Sequence, residues 1–315
     1  MPDRFLPRIA SLLVALSLLL SACAPTGAAP AQDGKLRVVA TTTIVGDVVK
    51  HVGGDWIDLS TLIPPNVDEH SYEPTPQDVV KVAQASLVFT NGAGLEPFLD
   101  KLTSNAGGKA VIVPVSDGVT LLQAAPEDSP SGVVQDTGGL TSDPHVWMDP
   151  NNVLIWVDNI QKALTAADPA HAGDYQKNAA AYSAQLKSLD TWIKTQVSQV
   201  PQNHRALVTD HLVFTYFAHR YGFTQVGGVV PGYSTTASPN AQELADLENA
   251  IRRLSVPAVF VGNTVNPALA ERVAQDTHTR LVHILTGSLT TPDGPAPTYI
   301  DYIHYNVNAI VGALK

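Results

Sequence analysis

Cysteine is almost absent: Cys23 is the only one in 315 residues, so no intramolecular disulfide can form and no thiolate pair can hold a metal. Basic charge is also scarce. Lysine and arginine number 19 against 29 acids, a formal net charge of −10, which argues against a nucleic-acid surface, since phosphate binding needs a basic stripe, and suits small cations and solubility. Motifs of hydrolytic chemistry are missing as well. The chain has neither a His-Glu-x-x-His helix nor a Gly-x-Ser-x-Gly elbow, the signatures of zinc proteases and serine hydrolases. What it has is 44% hydrophobic and only 15% charged residues, ample for a globular core. Its length suggests two lobes at roughly 100–200 residues each.

The N-terminus reads as an address. Arg4 and Arg8 precede an uncharged stretch, Ile9 to Ala22, ending in small residues, the build of a signal peptide over residues 1–22. Its 14 residues fall short of the roughly 20 that span a bilayer. Leu20-Ser21-Ala22-Cys23 resembles the bacterial lipobox, which implies acylation of Cys23 and anchoring to the lipid bilayer. Residues 23–34, rich in Ala, Pro and Gly, read as a flexible tether.

Beyond Lys35 the apolar pattern alternates between strand and helix. Strand-like runs are Leu36–Thr42, Asp58–Ile63, Leu87–Thr90, Ala206–Thr209, Gln225–Val230, Val256–Val261 and Leu281–Leu285. Helical spacing marks Ile44–Val52, Thr75–Ala85, Asn151–Ala167, Leu212–Tyr221, Ala241–Leu254, Asn266–Thr277 and Tyr299–Leu314. Such alternation predicts an α/β fold with mainly parallel sheets and flanking helices. Ser116 to Asp143 lacks periodicity and reads as an acidic surface loop. From Pro169 to Val200, apolar residues recur at spacings of 3, 4 or 7, predicting a helix of about 45 Å at 1.5 Å per residue. The expected organisation is an N-terminal lobe over 35–167, a linking helix over 168–200 that bridges the lobes, and a C-terminal lobe over 201–315. No short internal repeat is visible.

Three histidines fall in or just after loops at strand ends, where open α/β sheets place ligands. His70 lies in a Pro-stiffened loop, His145 in Asp143-Pro144-His145-Val146-Trp147-Met148-Asp149-Pro150, and His211 just past the strand ending at Thr209. Three imidazoles suit Zn²⁺. His51, His171, His204, His219, His278 and His304 read as solvated helix-side residues, and His283, inside a strand, as polar packing deeper in the lobe. Trp147 is expected on the cleft floor. Asp210 and Asp149 flank ligands and can orient an imidazole, with an N-cap as the stronger reading for Asp149.

Asp68-Glu69-His70-Ser71-Tyr72-Glu73-Pro74-Thr75-Pro76, Asn91-Gly92-Ala93-Gly94-Leu95-Glu96, the Asp143–Pro150 segment, Asp210-His211 with Phe214-Thr215-Tyr216-Phe217, and Thr298-Tyr299-Ile300-Asp301 together resemble the cluster A-I substrate-binding lipoproteins of zinc and manganese ABC importers. The resemblance covers nearly the whole mature chain. It implies two α/β lobes joined by a rigid long helix, a metal in the cleft, and ligands at His70, His145 and His211. Histidine at 211, where manganese-type members often carry Glu, favours Zn²⁺ with Mn²⁺ as the alternative. The family's fourth ligand, an Asp, falls on Gly287, which has no side chain. Water, Glu69 or Asp293 are the candidates to replace it. Also absent is the His-rich loop common in zinc-type members: residues 116–143 contain no histidine.

The resulting expectation is a monomeric extracytoplasmic solute-binding lipoprotein, on the periplasmic side or cell surface, that delivers a divalent metal to an ABC-transporter permease. It is expected to be no enzyme and to bind no nucleic acid. Two alternatives are a zinc hydrolase with an open three-His site and Glu69 as base, and a surface adhesin of the same fold.

Overall fold

Val38, Val39 and Ala40, all buried, make β1 (Leu36–Ala40) the kind of strand a two-sided parallel sheet requires. Thr42 then turns the chain into α1 (Thr43–Gly53), its hydroxyl accepting from Val45 N–H at 3.1 Å. Ile44, Val45, Val48, Val49 and Val52 form the buried stripe of α1. This is a computed structural model, and it describes residues 34–123 and 142–315. The signal-peptide and Cys23 expectations lie outside the described residues, as do Glu127, Asp128 and Asp136 of the acidic loop.

The first sheet continues through β2 (Ile57–Thr61), α2 (Pro76–Gln84), β3 (Leu87–Thr90), α3 (Leu99–Asn105) and β4 (Val111–Pro114). Its strands are parallel in the order β2-β1-β3-β4. The second sheet is built from β5 (Ala206–Thr209), α6 (Thr215–Tyr221), β6 (Thr224–Gly228), α7 (Ala241–Leu254), β7 (Ala258–Val261), α8 (Ala268–Thr277) and β8 (Arg280–His283). It is also parallel, in the order β6-β5-β7-β8. The same order therefore occurs twice without a visible sequence repeat. In each sheet the first strand lies between the second and third, so the winding reverses beside it and leaves a crevice at the carboxyl ends.

Between the sheets run α4 (Pro150–Ala167), a short 3-10 turn over Pro169–His171, and α5 (Ala172–Val197). At 26 residues, α5 is about 39 Å long at 1.5 Å per residue. The expected helix was somewhat longer because the 3-10 turn and the residues after Val197 carry on the apolar spacing. Helix α5 packs on α1, on α4 and on the final helix α9 (Tyr299–Leu314). It thus touches elements from both ends of the chain, as a bridge must. Two elements escaped the sequence reading: α3, which has no side-chain cap, and β4, four residues of partly exposed edge strand. Helix α6 begins at Thr215, not Leu212, because Leu212 N–H bonds the Gly232 carbonyl and Val213 N–H the His211 carbonyl, which keeps these residues out of the helix.

Candidate metal centre

The three predicted histidines meet. Nε2 of His145 lies 3.2 Å from Nε2 of His70 and 3.2 Å from Nε2 of His211, and one nitrogen of each falls within 4.8 Å of the others. Four ligands at 2.0–2.1 Å in a tetrahedron stand about 3.3 Å apart, so these separations suit a common ion. His145 and His211 are essentially inaccessible to solvent. The placement is less symmetric than expected: His70 follows edge strand β2, His211 follows central strand β5, and His145 caps a 3-10 turn, Val146–Met148, well beyond β4.

Each position is braced locally. Asp68 accepts from the backbone N–H of His70 at 3.2 Å and from Ser71 Oγ at 2.9 Å, curling the first loop. A capping box between Thr75 and Asp78 starts α2 immediately afterwards, and Tyr72 donates to Asp78 at 2.7 Å. Asn91 Nδ2 donates to the Pro144 carbonyl beside His145 at 3.0 Å. Buried Glu96 in turn accepts from Thr41 Oγ1 and from the N–H groups of Asn91 and Gly92. That explains why the Asn91–Glu96 motif belongs with the histidines although neither residue joins the cluster. Near His211, glycine is a steric necessity: a Cβ at Gly228 would lie 2.7 Å from the His211 Cα.

Two carboxylates fix the imidazoles. Asp210 Oδ1 is 2.7 Å from His211 Nδ1, and its Oδ2 accepts from Gly262 N–H at 2.6 Å. Asp143 Oδ1 is 2.7 Å from His145 Nδ1. With the Nδ1 proton donated to a carboxylate, each Nε2 keeps its lone pair for an ion. Asp210 was anticipated in this role; Asp143 was not, although its position two residues before His145 was a readable signal. Asp149, weighed for the same task, instead caps α4 by accepting from Asn151 N–H and receives Arg220 Nε at 2.6 Å.

At Gly287, where the resemblance implies an Asp, another side chain occupies the space. A Cβ built at Gly287 would sit 1.7 Å from Glu69 Oε2 and 2.0 Å from Oε1. The Glu69 carboxylate therefore already fills that space. It is 2% exposed, neither oxygen has a hydrogen-bond partner, and Oε1 lies 3.9 Å from His70 Nε2. An ionised carboxylate so placed is costly unless a cation pairs with it. Asp293, by contrast, is exposed on a turn, outside the cluster.

Burial and the charge of Asp68 push the Glu69 carboxyl up to about 7. Burial also raises Asp143 to about 7, against the pull of the His145 N–H. Burial followed by the neighbouring imidazoles holds His70 well below the usual histidine value, and burial with His211 does the same to His145. At His211 burial is outweighed by Asp210, and the net direction is upward. The pocket thus disfavours several charges at once, the condition a divalent ion would relieve.

Trp147 forms the floor as expected, edge-on to His145 at 5.2 Å between ring centroids, with Nε1 donating to Tyr302 OH at 3.2 Å. The remaining histidines differ from expectation. His283 is exposed at the end of β8, not packed within the lobe, because the residues turning inward begin at Ile284. His51, His171 and His304 are not simply solvated: they stack on Tyr182, Trp56 and Trp192 at 4.3, 3.8 and 4.1 Å. His204 bonds the Leu314 carbonyl, while His219 and His278 are exposed. Aromatic partners distant in sequence explain the three stacks.

Comparison with known proteins identifies the family. The chain is 34% identical over 300 residues to the iron-binding protein YfeA of Yersinia pestis, covering 95% of this chain and 93% of that one. It is 30% identical over 305 residues to the manganese-binding lipoprotein MntA of Halalkalibacterium halodurans, covering 96% and 97%. Its structure is similar to the periplasmic zinc-binding protein TroA of Treponema pallidum, with a TM-score of 0.80, 26% identity, and coverage of 89% and 99%. The family model for the periplasmic component A of the zinc-uptake complex matches residues 38–313, and the chain belongs to that family of metal-importer substrate-binding proteins.

Proposed function

We propose that this protein captures a divalent transition-metal ion as cargo, with His70, His145, His211 and Glu69 as its ligands, and passes it to an ABC permease. The observation that carries the reading is the convergence of three Nε2 atoms beside the buried, unpartnered Glu69 carboxylate. Zn²⁺ is the favoured cargo: three imidazoles and one carboxylate are a good tetrahedral set for it, and such a site ranks Zn²⁺ above Mn²⁺ in affinity. Relatives named for iron, manganese and zinc support a divalent metal without choosing one. The lipoprotein name of MntA supports an extracytoplasmic, membrane-anchored location, with Cys23 as the acylated residue.

The hydrolase alternative draws no support, since the family consists of transport components and Glu69 stands in the place of a ligand. Isothermal titration of the demetallated chain from Lys35 onward tests the proposal. Stoichiometric uptake of one Zn²⁺, tighter than Mn²⁺, is expected; uptake of neither would overturn it.

A further inference from the structure

Among the contacts between the two lobes, two groups beside the histidines are of opposite character. Behind the histidines the joint is buried and aromatic: Tyr299 OH donates to the Trp147 carbonyl at 2.7 Å, Trp147 Nε1 reaches Tyr302, and the Asp47 carboxylate accepts from Tyr299 N–H at 3.0 Å. Trp147, Tyr299 and Tyr302 are all within 2% of full burial. In front, the joint is polar and, apart from buried Ser288, half-exposed or exposed. Thr235 Oγ1 donates to Asp68 Oδ2 at 2.5 Å, Asn263 Nδ2 to Asn66 Oδ1 at 2.8 Å, and Asn66 N–H to Ser288 Oγ at 2.9 Å. Asn66 takes a φ of 62°, a left-handed conformation that Asn tolerates better than most residues.

All three front bonds end on the same loop, the one that carries Glu69 and His70. None of the five residues belongs to the proposed ligand set. We infer that Asn66, Asp68, Thr235, Asn263 and Ser288 form a latch fastening the His70 loop to the second lobe, and that opening this latch, with the aromatic joint intact, releases the ion. Water competes for half-exposed polar bonds, whereas separating the rear joint exposes large aromatic surface. The front is therefore the side that yields. This inference rests on the metal reading for its release step but not for the latch itself.

The test uses the chain from Lys35 onward carrying Thr235→Val with Asn263→Ala, and Tyr299→Phe as a rear-joint control. Hydrogen exchange of the metal-free protein reads the latch directly: amides of residues 66–72 should exchange faster in the double variant and normally in the control. Chelator-driven loss of Zn²⁺ reads release. Dissociation should accelerate about ten- to hundredfold, as expected for one charge-assisted and one neutral hydrogen bond, with association nearly unchanged. Thr235→Ser, which keeps the hydroxyl, should behave as wild type. Unchanged loop exchange in the double variant would overturn the latch, as would acceleration of Zn²⁺ loss by Tyr299→Phe alone. Faster loop exchange in a chain whose wild type takes up no Zn²⁺ would keep the fastening but overturn both its role in release and the metal reading.

Discussion

The two lobes share a strand order but contribute unequally to the centre. The first half supplies His70 and His145; the second supplies His211 alone, together with the space above Gly287 that Glu69 of the first half fills. Each half does supply one carboxylate brace, Asp143 for His145 and Asp210 for His211. The braces are alike and the donors are not. Equivalent sheets thus offer equivalent crevices, while loop length decides which side reaches into them.

The largest effect should come from the donor nearest both others. His145→Ala should lower Zn²⁺ affinity by more than the 10–100-fold typical of losing a supporting partner, read by competition against a chelator. The asymmetry itself is tested by exchanging the carboxylate across the cleft. Glu69→Ala and Gly287→Asp should each weaken Zn²⁺ binding by about tenfold or more, the second because its side chain collides with Glu69. The double variant should recover much of the loss, and additive losses would refute the shared position. Asp143→Asn and Asp210→Asn probe what the halves have in common. Both should cost about 10–100-fold in affinity, with thermal melting of the metal-free forms as the control for folding.

The smallest effect concerns the scaffold of the first lobe. Burial pushes the Asp78 carboxyl upward, but hydrogen bonds from Tyr72, Thr75 and Lys81 outweigh it and hold the group at about 2, below the ordinary 3.8. Asp78→Asn should cost about 1 kcal/mol near neutral pH through loss of the cap. A depressed folded-state value means that the ionised group's stabilisation is present above the unfolded value of 3.8 and lost as pH falls through about 2. The gap between wild type and variant in denaturant unfolding should therefore close over that acidic window.

The strand–helix alternation, the long helix and the three histidines were legible because periodicity and Pro-braced loops are local signals. Strand β4 was not, since four half-exposed residues carry almost no pattern. The direction of Glu69 was equally hidden. Its inward turn depends on an empty volume contributed by Gly287, more than two hundred residues away, and no local spacing encodes that. The same holds for the three histidine stacks, whose partners come from other elements.

Gly287 also bears on how relatedness is read. An alignment compares columns, and in the column of Gly287 this chain offers no side chain at all. Space tells a different story: the volume beside Gly287 is filled by the Glu69 carboxylate, which comes from the other half of the chain. A search for cargo preference among such proteins would do better to ask which atoms border the ion than which letters share a column, because a vacancy in one row of text can be an occupied corner of the coordination polyhedron.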